Sequence, residues 1–335
     1  MYLEEPAGKV AVPLSRTLIV TLVPALVCAV ASVLLMRAGF FTFFFLVPLG
    51  VCAVVFGPAA AWLSAVFASL GSGIWFAGFS HAGLYTLGTA VQILGFAWLM
   101  AGNPRRPALP PVRTVFRFIA AAAAGALVYL AVIFSLGNDA VFSAALRSQI
   151  EVIASSYIAA AGTDAAQRAF MEQTLTADRI IDIFMMIILR GGALFSTAFL
   201  LFFNRQLAFT FARLFRRQQK HSDLIGFHAP RSTIWVFSLC LPVILLGWIT
   251  SLELVEIAAW NILVMCATMF LAQGGGIALF YLARRPMPML ARFIGMVLFV
   301  CVIFSPGINV LALTILLLLG IAENWLPLRV AKQEV

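Results

Sequence analysis

Charge is the scarcest property of this sequence. Asp, Glu, Lys and Arg together make up 10% of its 335 residues, and histidine occurs three times. Soluble globular domains carry about a quarter of their residues as charges, so this composition is not that of a water-solvated fold. Signatures of chemistry are missing as well. There is no glycine-rich phosphate loop closed by a lysine, no HExxH, no nucleophile elbow and no pair of carboxylates inside an apolar run. Ser72 lies between Gly71 and Gly73 with His81 nearby, but not at the spacing of an intramembrane serine protease. No enzyme activity is expected. The five cysteines, Cys28, Cys52, Cys240, Cys266 and Cys301, all fall inside apolar runs, which argues against a disulfide framework or zinc. His221 and His228 flank Asp223 without a third strong ligand, so no metal and no cofactor is expected.

Apolar residues fill the space that charge leaves, at 63% of the chain, with a mean hydropathy of +1.05. Ten apolar stretches stand out: Thr17–Met36, Phe40–Phe56, Ala59–Phe79, Ala82–Met100, Val115–Leu136, Ile180–Phe203, Ile234–Thr250, Ile257–Leu282, Met289–Phe304 and Gly307–Ile321. A helix crosses a ~30 Å hydrocarbon core in about 20 residues. The expected fold is therefore an all-α polytopic membrane protein of about ten transmembrane helices, the shorter stretches being tilted or re-entrant. Arg16 followed by an apolar run with Ala29 and Ala31 resembles a signal peptide, but the run continues to Met36 and reads as an uncleaved first helix.

The loops alternate in sign. With the N-terminus inside, 17 of the 22 basic residues fall in inside segments, while eight acids lie outside, among them Asp139, Glu151, Asp178, Glu253 and Glu256. Cytoplasmic loops collect Lys and Arg, so both termini are expected in the cytoplasm. All seven tryptophans lie within a few residues of a span end, the depth that an amphipathic ring prefers. A net charge of +9 would suggest nucleic acid in a soluble protein. Here it faces the anionic inner leaflet of the bilayer, and no nucleic-acid partner is expected.

Two five-span halves, residues 1–137 and 180–335, flank one long outside segment, residues 138–179. In that segment Phe142, Leu146, Ile150, Ile153 and Tyr157 recur at helical spacing, predicting an amphipathic helix on the membrane or on the bundle. Ala161 and Gly162 end it, and Asp164 with Gln167 starts a second helix toward Leu175. Leu207, Phe211, Leu214 and Phe215 against Arg213, Arg216 and Arg217 predict a basic amphipathic continuation of the sixth span. An odd number of spans per half makes the halves enter the membrane in opposite directions, as in inverted-repeat transporters.

Arg190 is the most conspicuous residue, an arginine amid apolar residues and followed by Gly191 and Gly192. An intramembrane arginine costs about 2.5 to 3.5 kcal/mol on insertion scales and must meet a partner. Two readings stand: an anion site for a solute carboxylate or phosphate, or a structural hub bonded to carbonyls freed at the glycines. Asn261 and the Gln273, Gly274, Gly275, Gly276 run in the eighth span are the other polar features. They complete a candidate substrate site of Arg190, Gly191, Gly192, Asn261, Gln273 and Gly274. Gln92 and Asn309 read as interhelical hydrogen-bonding groups, and Ala61, Ala65, Ser69 and Gly73 as a stripe for close helix packing.

From Ala229 to about residue 330 the chain resembles the YybS-like (DUF2232) family of bacterial membrane proteins. The resemblance rests on Pro230, Arg231 and Trp235, on Pro242, on Gln273 and Gly274, and on Gly320, Glu323, Trp325 and Arg329. That family is similar to the substrate-binding S components of energy-coupling factor transporters and to the rod-shape protein MreD. The resemblance implies a compact helical membrane module. The leading expectation is a bacterial inner-membrane transport protein, or a transporter subunit, for a small solute, an anion if Arg190 is its site. The alternatives are an MreD-like scaffold holding a membrane or cytoplasmic protein partner, and a lipid-handling membrane enzyme.

Overall fold

A computed structural model of the chain describes residues 14–78, 81–101, 111–160, 165–215, 226–284 and 308–329. Every regular element among them is helical. The order is α1 (Leu14–Arg37), a 3-10 turn (Gly39–Phe44), α2 (Val47–Phe56), α3 (Pro58–Phe76), α4 (Ala82–Met100), α5 (Pro111–Gly137), α6 (Ala140–Ala160), α7 (Ala165–Thr174) and α8 (Ala177–Ile187). A π turn (Ile188–Gly192) leads into α9 (Ala193–Phe215), and α10 (Ser232–Thr250), α11 (Glu253–Arg284) and α12 (Ile308–Ala322) follow.

Among the described residues seven helical stretches are long and apolar enough to cross a membrane, and two shorter ones, Phe41–Phe56 and Ile308–Ala322, are apolar but brief. The chain is thus a multi-pass membrane protein. The stretch expected at Met289–Phe304 lies outside the described residues. Two compact units divide the chain: Met1–Val128 with Leu200–Gln218, and Tyr129–Phe199 with Gln219–Val335.

Small residues organise the first unit. Lipid tails are as apolar as leucine, so helices in a bilayer associate through close packing and dispersion rather than through escape from water. Ala25, Ala29 and Ser32 form the buried face of α1, while Ile19, Val23, Val27, Val30 and Leu34 stay on its open side. On α3 the buried line is Ala61, Ala65, Ala68 and Ser72, one helical face at intervals of four, three and four. Val33 fills the space beside Gly71, where an added Cβ would meet it at 2.9 Å, and the Arg37 guanidinium lies over Trp75 at 4.3 Å. Both contacts share one sequence offset, so α1 and α3 run parallel. Gly57, at φ +99°, turns α2 directly into α3, and Pro58 supplies a preset φ at the first helical position. The single apolar run expected at Phe40–Phe56 is instead a 3-10 turn followed by a short α-helix. Its freed carbonyls are satisfied from other helices: Ser32 Oγ donates to Phe45 O at 2.5 Å and Asn204 Nδ2 to Phe43 O at 2.8 Å.

In the second unit α11 crosses α12 so closely that a Cβ on Gly274 would overlap the backbone carbonyl of Leu316, and one on Gly320 that of Phe270. Phe270, fully buried, packs with Cys266 and Ala229 beneath Phe237, Met269 and Leu317. Asp139 caps α6 by accepting from the backbone of Val141 at 2.8 Å and Phe142 at 3.1 Å. The helix expected from Phe142, Leu146, Ile150, Ile153 and Tyr157 is present, but its buried residue is Ala154, and Tyr157 is 65% exposed. Periodicity identifies the helix; the apolar stripe remains open for lipid. The second short helix is α7, while its expected cap, Asp164, lies outside the described residues. The sixth span continues into the basic segment as α9, and residues 216–225, His221 and Asp223 included, are outside the described residues.

Candidate functional site

The site grows from a break in a long apolar helix. Ala177 to Ala212 is 36 residues of membrane-compatible helix, about 54 Å at 1.5 Å per residue and well beyond one bilayer core of ~30 Å. It is interrupted at Arg190 (φ −83°, ψ 31°) and Gly191 (φ 113°, ψ −9°). Only glycine adopts that second conformation without strain. A Cβ at Gly191 would also sit 2.6 Å from Val264 Cγ2, and one at Gly192 would sit 2.8 Å from Ile187 O. Both glycines are therefore required by the local geometry.

Opening the helix frees backbone carbonyls, which inside a membrane must find donors. Asn261 provides one: its Nδ2 donates to Leu189 O at 2.8 Å and to Ile257 O, one turn back on its own helix, at 2.8 Å. The amide thus ties the break between α8 and α9 to the flank of α11.

Arg190 meets a carboxylate. Its Nη2 lies 3.0 Å from Glu256 Oε1, with 35% of the arginine side chain exposed against 10% for the glutamate. Glu256 stands in the first turn of α11, where the helix macrodipole favours a negative charge. Its Cα packs against Gly247, where an added Cβ would come within 3.2 Å. The bond also sets the depth of Arg190. Gly191 packs against Val264, roughly 12 Å along α11 from Glu256 at 1.5 Å per residue. The guanidinium therefore reaches back toward the N-terminal end of α11, so the charge lies well above the level of its own backbone. Pairing offsets the desolvation of both groups, and removal of either leaves the other charge stranded.

Of the six residues expected to form one site, the structure gathers Arg190, Gly191, Gly192 and Asn261. Gln273 and Gly274 stand apart, about 18 Å farther along α11 than Asn261. Gln273 is buried and its Oε1 accepts from Ala229 N at 2.7 Å, while Gly274 makes the crossing with α12. They belong to a second cluster. There Arg329 pairs with Glu323, Nε to Oε1 at 2.6 Å and Nη2 to Oε2 at 2.5 Å, and Nη2 donates to Phe227 O at 2.7 Å. Tyr281 Oη donates to Leu328 O at 2.7 Å beside it. Gln273, Gly274, Gly320, Glu323 and Arg329 thus join the helix crossing, the segment before α10 and the chain after α12. Trp235 and Trp325 point outward, 76% and 67% exposed.

Glu256 was hidden in the sequence because charge alternation assigns it to an outside loop. A usable signal was there: an intramembrane arginine needs a partner, an acid is one such partner, and Glu253 and Glu256 open the helix that contributes Asn261. Among the described residues no group of three His, Cys, Asp or Glu is placed to hold a metal ion, and Cys28, Cys52, Cys240 and Cys266 are free thiols. No family model, curated protein or solved structure matches the chain.

Proposed function

We propose that the chain is a bacterial inner-membrane transport protein, or the substrate-binding subunit of a transporter, for a small anionic solute. In this reading it crosses the membrane ten times with both termini in the cytoplasm, belongs with the YybS-like proteins it resembles, and has no enzymatic activity. The observation that carries the proposal is the broken helix at Arg190. Discontinuous membrane helices recur in transporter sites; here the break also carries a cation, and a third of the Arg190 side chain is open to a ligand. A solute carboxylate or phosphate would bind by competing with Glu256 for the guanidinium, while Asn261 keeps the broken backbone satisfied.

The test is thermal unfolding of the purified protein in neutral detergent against a panel of small carboxylates and phosphate esters. At least one should raise the melting temperature, and Arg190→Gln should remove that increment while the protein stays folded. An increment that survives Arg190→Gln would overturn the assignment of the site. The scaffold reading is favoured by a different observation: Arg190 already has a carboxylate partner within the chain, Glu256 at 3.0 Å. It predicts that no anion of the panel changes the melting temperature, and that a stoichiometric membrane or cytoplasmic protein co-purifies.

A further inference from the structure

The two compact units differ completely in how their charge is balanced. Residues 1–128 with 200–218 hold eleven Lys and Arg against two acids, Glu4 and Glu5, whereas residues 129–199 with 219–335 hold eleven of each. The entire net charge of +9 therefore belongs to the first unit, and none of its described residues is acidic. Side-chain contacts follow the same division. In the second unit arginines meet carboxylates: Arg147 with Asp178, Arg190 with Glu256 and Arg329 with Glu323. In the first they lie over aromatic rings: Arg37 over Trp75, Arg117 over Trp98 and Arg205 over Phe209.

Arg117 is the member of this set with something left over. Its guanidinium carbon lies 5.6 Å from the Trp98 ring centroid. Its Nη1 is buried and has no hydrogen-bond partner among the described residues. A ring face attracts the cation but accepts no N–H bond of ordinary strength, so a buried guanidinium nitrogen still calls for an oxygen acceptor. Position specifies which acceptor. Trp98 is two residues from the end of α4 and Arg117 is in the second turn of α5, where apolar spans begin and end and where tryptophan sits among lipid headgroups. Gly95 faces Ala121, where an added Cβ would meet it at 3.4 Å, in agreement with an antiparallel α4 and α5 meeting at this end. The sequence between Trp98 and Arg117 adds Arg105, Arg106 and Arg113 and no acid.

We infer that Arg117 and Trp98 form a headgroup site for an anionic phospholipid, the phosphodiester accepting from Arg117 while the indole fixes the guanidinium plane. A phosphodiester in the bilayer meets the open part of the half-buried Arg117 side chain and supplies the counter-charge that this unit lacks. The inference is independent of the solute proposed at Arg190.

The experiment uses the full chain in neutral detergent and compares phosphatidylglycerol, phosphatidylcholine and inorganic phosphate as additives. Phosphatidylglycerol should raise the melting temperature by about 4 °C, with phosphatidylcholine and free phosphate giving little. Arg117→Gln should abolish the rise, Arg117→Lys should keep part of it, and Arg190→Gln should leave it intact. Native mass spectrometry of the unaltered protein provides a second readout that does not depend on the variants folding: phosphatidylglycerol should be retained in preference to phosphatidylcholine. Equal responses to the two lipids, equal retention, or a phosphatidylglycerol increment that survives Arg117→Gln would overturn the site. A response to inorganic phosphate as large as that to the lipid would overturn the lipid as its occupant.

Discussion

Gly191 fixes where the apolar helix breaks, and with it where Arg190 points. Its φ of +113° is open to glycine and strained for other residues, and Val264 occupies the place of a Cβ. Gly191→Ala should therefore destabilise the protein by about 1–3 kcal/mol from backbone strain alone, with overpacking against Val264 adding to it. Thermal unfolding in detergent checks this, and an unchanged melting temperature would mean that the break is not an obligatory feature. The arginine and the two glycines were legible in the sequence as an interruption of an apolar run. Their partners were not. Glu256 and Asn261 lie 66 and 71 positions later in the chain, and hydropathy reports how apolar each stretch is without saying which stretches touch.

Helices of this protein are positioned by the absence of side chains as much as by their presence. Gly274 and Gly320 bring the backbones of α11 and α12 into contact, and that approach allows Gln273 and Arg329 to reach the chain before α10. Gly274→Val or Gly320→Val should abolish accumulation of folded protein, because each Cβ would fall on a main-chain carbonyl of the facing helix. Gly95→Ala is the control: its Cβ would meet Ala121 at an ordinary 3.4 Å, and it should fold like the parent. Monodispersity in size-exclusion chromatography distinguishes them. Helix identity and approximate ends followed from apolar length and 3.6-residue periodicity, as α6, α7 and the continuation of α9 show. The break between the 3-10 turn and α2 did not. It depends on Asn204 and Ser32, which supply donors from other helices that no local pattern announces.

Across the whole molecule the sequence carried its information in composition and charge sign. Those features identify a multi-pass membrane protein and lead to an orientation. A cysteine introduced at Ala161 should react with an impermeant thiol reagent added outside intact inner-membrane preparations, and one introduced at Gln218 should not. Reversed labelling would invert the topology. Charge counting along the chain could not reveal that the net charge of +9 is confined to one compact unit, since that unit is assembled from two separate segments, residues 1–128 and 200–218.

The claim at the centre of this account is that Glu256 occupies Arg190 until an anionic solute takes its place. Glu256→Gln removes the internal competitor and keeps the side chain's shape. Anion titrations of this variant and the parent, followed by thermal unfolding, test the claim most directly. Binding to the variant should be at least about tenfold tighter, an increment of ~1.4 kcal/mol. Equal anion responses in the two proteins would contradict it.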